Sequence, residues 1–154
     1  MGIRAVAVGA LVLLSPVSAG AVDIAVCGGS HGYAYFPEIG ILQDDPNTGK
    51  WVTDGISDGR ITLATTAENE LDILFGDASG GVYSAANEGA RVILIDRSDD
   101  KLAVLAVYPQ GAIETYTFYQ SASGPEVLWS SNKFNALIPK MAAYRASCRF
   151  LYLE

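Results

Sequence analysis

Residues 102–119 read LAVLAVYPQGAIETYTFY. Two runs, 102–108 and 113–119, rich in Val, Leu, Ile, Thr, Tyr and Phe, flank the turn Pro109-Gln110-Gly111. Branched and aromatic side chains suit a pleated, half-buried surface, while Pro presets φ and Gly tolerates the left-handed region. The stretch therefore reads as a hairpin of two antiparallel strands, and both runs are short for a helix.

The same alternation continues on either side. Short apolar or β-branched runs begin near positions 61, 71, 82, 91, 102, 113 and 126. Clusters such as Ala67-Glu68-Asn69-Glu70, Ala86-Asn87-Glu88-Gly89 and Ser121-Ala122-Ser123-Gly124-Pro125 separate them. Turns of this length leave no room for the crossover that parallel strands need. Ile61 and Leu63 share one strand face, with Arg60, Thr62 and Ala64 on the other. Runs 92–95 and 102–107 are apolar on both faces, which predicts central or covered strands with Leu105 in the core. Residues 141–148 alternate as a closing strand, 23–27 and 32–36 supply two early strands, and 37–59 and 132–139 are irregular. The spacing predicts an all-β fold, an antiparallel up-and-down meander of about 8 strands closed or nearly closed into a small barrel. An open β-sandwich is the alternative.

Composition limits the rest. The chain has 154 residues, half of them apolar and 18% charged, which fits one folded domain, residues 22–154. Ten Lys and Arg against 17 Asp and Glu give a net charge of -7. That balance argues against a nucleic-acid partner and against docking on an anionic membrane.

The first residues read as a signal peptide spanning 1–21. Arg4 supplies the basic start, residues 5–14 form the apolar run, and Ser15-Pro16 breaks it, with cleavage expected after Ala19 or Ala21. Ten apolar residues reach only about 15 Å as a helix, so no stable membrane insertion is expected. Cys27 follows Val26 and lies beyond Asp23, so it does not sit where a lipoprotein cysteine would. In an exported, periplasmic or secreted chain, two cysteines at opposite ends, Cys27 and Cys148, are expected to form one structural disulfide. In a closed meander those ends fall on neighbouring strands.

Candidate sites are few. His31 is the sole histidine, which excludes multi-histidine metal sites and leaves one residue for any triad. It shares a strand face with Tyr33 and Tyr35, and Glu114, Tyr116 and Phe118 share another. His31, Tyr33, Tyr35, Tyr116 and Phe118 are accordingly the candidate ligand-binding residues, because Tyr and other aromatics offer large contact area. Asp45-x-Asn47-x-Gly49 is better read as turn chemistry than as half a calcium loop. Carboxylate pairs can be drawn from Glu68, Glu70, Asp72 and Asp77, or from Glu114 with a neighbour, but 17 acidic residues make accidental pairs unavoidable. No cofactor, metal or catalytic residue is assigned. A signal peptide, a small β-domain and a Cys at each end resemble small exported bacterial barrels, periplasmic lysozyme inhibitors among them, in architecture alone. The expected function is that of a non-enzymatic exported domain binding an unidentified protein or small apolar ligand. The alternatives are a hydrolase or isomerase on the same barrel, or a structural envelope protein.

Overall fold

The computed structural model describes residues 21–153 apart from Ala78. The expected signal segment therefore lies outside the described residues, except for Ala21. Eleven strands form one antiparallel sheet. The first six are β1 (Val22–Cys27), β2 (Ser30–Tyr35), β3 (Trp51–Ile56), β4 (Arg60–Thr65), β5 (Leu71–Gly76) and β6 (Val82–Ser84). Then come β7 (Arg91–Arg97), β8 (Lys101–Val107), β9 (Ile113–Ser121), β10 (Gly124–Lys133) and β11 (Lys140–Leu151). The ladder runs β6-β5-β4-β1-β11-β10-β9-β8-β7, with β2 also pairing β11 and β3 pairing β2.

The branch arises from two bent strands. β1 pairs the end of β11 (Ala25↔Leu151, Val26↔Phe150), and β2 pairs its beginning, from His31↔Arg145 to Tyr35↔Met141. They are one long strand bent at Gly28-Gly29. β3 and β4 run antiparallel to them, from Tyr35↔Trp51 to Ser30↔Ile56 and from Cys27↔Ile61 to Val22↔Thr65, with the bend at Ser57-Asp58-Gly59. A Cβ at Gly29 would run into the Ser57 carbonyl, so only glycine permits the backbones to approach this closely there. With these bends counted, the chain is an up-and-down meander whose first and last strands adjoin. It is left open between β6 and β7, where β5 and β7 approach each other without pairing. The sheet is a barrel nearly closed.

Cys27 and Cys148 are ladder partners across the β1–β11 seam and form the disulfide, as the sequence predicts. Such a bond belongs to an oxidising compartment. No described helix is long and apolar enough to cross a membrane.

Alternation decides the core. Ile61 and Leu63, Leu102, Val104 and Ala106, Tyr116 and Phe118, and Ala142, Tyr144 and Ala146 all face inward and are buried. Two expectations need correction. Leu105 falls on the outer face of β8, half-buried, because the inward positions of that strand are the even ones. Residues 92–95 do not form a covered strand: β7 ends the sheet, and Ile93, Leu94 and Ile95 are exposed. Apolar character on both faces signals what a strand can bury, not whether a neighbour is there to bury it. A third difference is β3, which lies in the stretch expected to be irregular.

Candidate functional site

Three strands build an aromatic ladder inside the barrel. Tyr116 on β9, Trp129 on β10 and Tyr144 on β11 are successive cross-strand partners. Their rings stack at 5.7 Å and 4.3 Å between centroids, and Phe75 on β5 meets Tyr116 at 6.1 Å. Beside this ladder, two residues before Tyr116 on the same face, lies Glu114, only 1% exposed. Its partner in register is Ser131, and Lys133 follows two residues later on the same face of β10.

The Glu114 carboxylate is saturated with donors. Oε2 accepts from the Tyr116 hydroxyl at 2.6 Å and the Tyr108 hydroxyl at 3.0 Å. Oε1 accepts from Ser131 Oγ at 3.1 Å and pairs with Lys133 Nζ at 2.9 Å. Burial, with the Glu114 charge close by, pushes the Tyr108 and Tyr116 phenols well above their ordinary range. Those hydroxyls therefore stay protonated and donating. Lys133 remains 40% exposed, and among the described residues Glu114 is its one hydrogen-bonding partner.

A cavity of about 330 Å³ opens over these groups at one mouth of the barrel, beside the β8–β9 turn and the ends of β3 and β10. Phe75, Tyr83, Tyr108 and Trp129 give it aromatic walls, Ile56 adds an aliphatic one, Glu114 with Lys133 forms a polar end, and the exposed Glu88 and Gln110 complete the lining. The Trp129 indole N–H is held by Ser30 Oγ at 3.1 Å, which fixes the ring that forms one wall. A concave, mostly apolar site with a few convergent polar groups is the usual form of a small-molecule site.

A second polar group has a structural explanation. Tyr144 donates to Asp54 Oδ2 at 2.6 Å, and Lys140 Nζ lies 3.1 Å from the same oxygen and 2.9 Å from the Tyr144 hydroxyl. Gly32 lies between Tyr144 and Asp54 in the ladder, and a Cβ there would run into the Ala143 carbonyl, so glycine permits the close approach of β2 to β11 at this point. Burial alone would raise the Asp54 pKa, but the hydrogen bonds from Tyr144 and Lys140 and the Lys140 charge outweigh it and lower the value. Each member is satisfied by the others, so the trio ties β3 to β11. A larger concavity of about 550 Å³ lies beside the disulfide, on the outer face of β1, β4 and β5, lined by Arg60, Thr62, Leu74, Val82 and Arg149 among others. It has no aromatic wall, and the one buried polar side chain in its lining is the uncharged Thr62.

The structure separates the residues singled out from the sequence into two sets. His31 and Tyr33 are exposed on the outer face of β2, where Tyr35 packs against Trp51 at 5.8 Å. Tyr116 and Phe118 are fully buried inside, on the opposite side of the sheet. They do not form one site, and Phe118 contributes to the core. Asp45 closes a turn, its Oδ1 accepting from the Asn47 backbone N–H at 2.7 Å. Phe75, Tyr83 and Lys133 escaped the sequence reading. Lys133 was hidden because 132–139 looked irregular, yet extending the odd-numbered alternation of Val127 and Trp129 along β10 would have placed it inside. No protein-family model, curated protein or solved structure is found to match this chain.

Proposed function

We propose that this protein is an exported, non-enzymatic binding domain that takes up a small ligand with an apolar body at the mouth of its barrel. The supporting observation is the cavity of about 330 Å³ with aromatic walls and one charged, hydrogen-bonded end. Export is supported by the disulfide and by the basic, apolar, small-residue order of positions 1–21. The Glu114–Lys133 pair gives no reason to assign hydrolysis, because every oxygen of the carboxylate is already engaged by donors. Native mass spectrometry of the protein purified from cells that export it tests this reading. A bound species of small-molecule mass, released on mild denaturation, is expected. A bare protein mass that stays bare after incubation with a small-molecule extract of the same cells would refute it.

A second reading, a protein partner, is favoured by Tyr33 (61% exposed), Trp51 (55%) and Met141 (42%), which lie together on the outer face of β2, β3 and β11. A co-purifying protein lost in Trp51→Ala would support it over the first.

A further inference from the structure

We propose that the mouth pocket selects flat aromatic ligands bearing an oxygen acceptor on a trigonal carbon, a carboxylate or a carbonyl, which Lys133 receives. This rests on the reading of the pocket as the binding site and adds the chemistry it recognises. Glu88 and Gln110, both exposed to solvent, also line the pocket. At its buried end stand one anion and one cation, Glu114 and Lys133, and the two are not equally available. Glu114 has both oxygens occupied, each by two donors, so it offers a ligand no free lone pair in good geometry. Lys133 carries three N–H donors and spends one on Glu114, and its side chain is 40% exposed at the pocket. Beside Glu114, at the aromatic end of the pocket, the group left to meet a ligand is therefore a donor, while Glu88 keeps its charge in solvent. An acceptor oxygen gains a charge-assisted hydrogen bond there, whereas an ammonium would face the Lys133 charge.

The walls specify the rest of the ligand. Phe75, Tyr83, Tyr108 and Trp129 present ring surface to a space near the lower end of the range for small-molecule sites. Offset or edge-to-face contact with such rings favours a planar, conjugated body over a branched aliphatic one. One or two fused rings with the acceptor directed at Lys133 fit that arrangement.

The test uses three soluble probes with the same ring system: 2-naphthoate, 2-naphthamide and 2-naphthylmethylammonium. Binding is followed on the full chain by the indole N–H resonance of Trp129, assigned by its persistence in Trp51→Phe, since the protein has two tryptophans. The acceptor probes are expected to shift that resonance and to bind at least about tenfold more tightly than the ammonium probe. Lys133→Met should remove that preference; because it also leaves the buried Glu114 carboxylate without its cation, binding is compared at a temperature where circular dichroism shows the variant folded. Tighter binding of naphthoate than of naphthamide assigns the natural acceptor to a carboxylate, and equal binding assigns it to a neutral carbonyl; either supports the proposal. Equal affinity for all three probes, or an unchanged preference in Lys133→Met, overturns the acceptor proposal and leaves the pocket reading intact. A Trp129 resonance that none of the probes moves overturns both.

Discussion

Replacing Glu114 with Ala should be among the most destabilising single changes in this protein. The side chain is buried and accepts four donors, so its removal strands each of them. The Tyr116 hydroxyl and Ser131 Oγ belong to residues with essentially no exposure, and among the described residues Glu114 is the side-chain acceptor of both. A buried donor left unmatched costs about 1–3 kcal/mol. Tyr108 is only partly buried, and Lys133 can turn its ammonium to water, so they add less. The sum is about 3–5 kcal/mol, the same range as breaking a buried ion pair from one side. Glu114→Gln separates charge from connectivity. Its amide oxygen still serves Tyr116 and Tyr108, but its NH2 group faces Lys133 and Ser131, so about 1–3 kcal/mol is expected. Urea denaturation followed by tryptophan emission and far-UV circular dichroism measures both variants, with equal m-values required for the comparison. A Glu114→Ala variant within about 0.5 kcal/mol of wild type would refute the buried, saturated carboxylate.

Other perturbations follow from the fold. Reducing the Cys27–Cys148 disulfide, which closes a separation of 121 residues, should cost up to about 4–5 kcal/mol and lower the melting temperature by ten degrees or more. An unchanged melting curve in reductant would mean that the bond does not hold the seam. Leu102→Ala, on the buried inner face of β8, should cost about 2–5 kcal/mol, and Leu105→Ala, on the outer face, clearly less. The reverse order in chemical denaturation would show that the register of β8 is wrong. Asp54 has a lowered folded pKa, so its contribution is present above its ordinary value of 3.8 and is lost as pH falls through the depressed folded value. Asp54→Asn should therefore be less stable than wild type near pH 7, with the gap narrowing as pH falls below 3.8. A constant gap across that range would remove Asp54 as the titrating group.

Much of the architecture could be read from spacing and alternation. The hairpin at 102–119 appears as β8 and β9, and residues 141–148 lie within β11, beside β1, where the cysteines meet. The shared face of Glu114, Tyr116 and Phe118 was also legible, because a strand of period two leaves no other arrangement. What the sequence withheld depends on neighbours. Strand β7 looks like a central strand because its apolar content carries no record of which edge the barrel leaves open. The bends at Gly28-Gly29 and Ser57-Asp58-Gly59 divide two long strands and conceal β3, since glycine and polar clusters mark bends and loops alike. The site was half visible. His31, Tyr33 and Tyr35 were grouped correctly by face, but nothing local shows that this face points outward.

The central claim is that the barrel mouth, and not the outer face of β2 and β3, is where a ligand binds. Ala112 lines the mouth beside Glu114, and Ala112→Trp would fill it from the rim without removing any side-chain hydrogen bond described above. Native mass spectra of wild type and Ala112→Trp, each exported by the same cells and shown to melt alike, compare the two places directly. The account predicts a small-molecule adduct on the wild type that is absent from Ala112→Trp. An adduct retained equally by both proteins would contradict it and place the ligand elsewhere on the barrel.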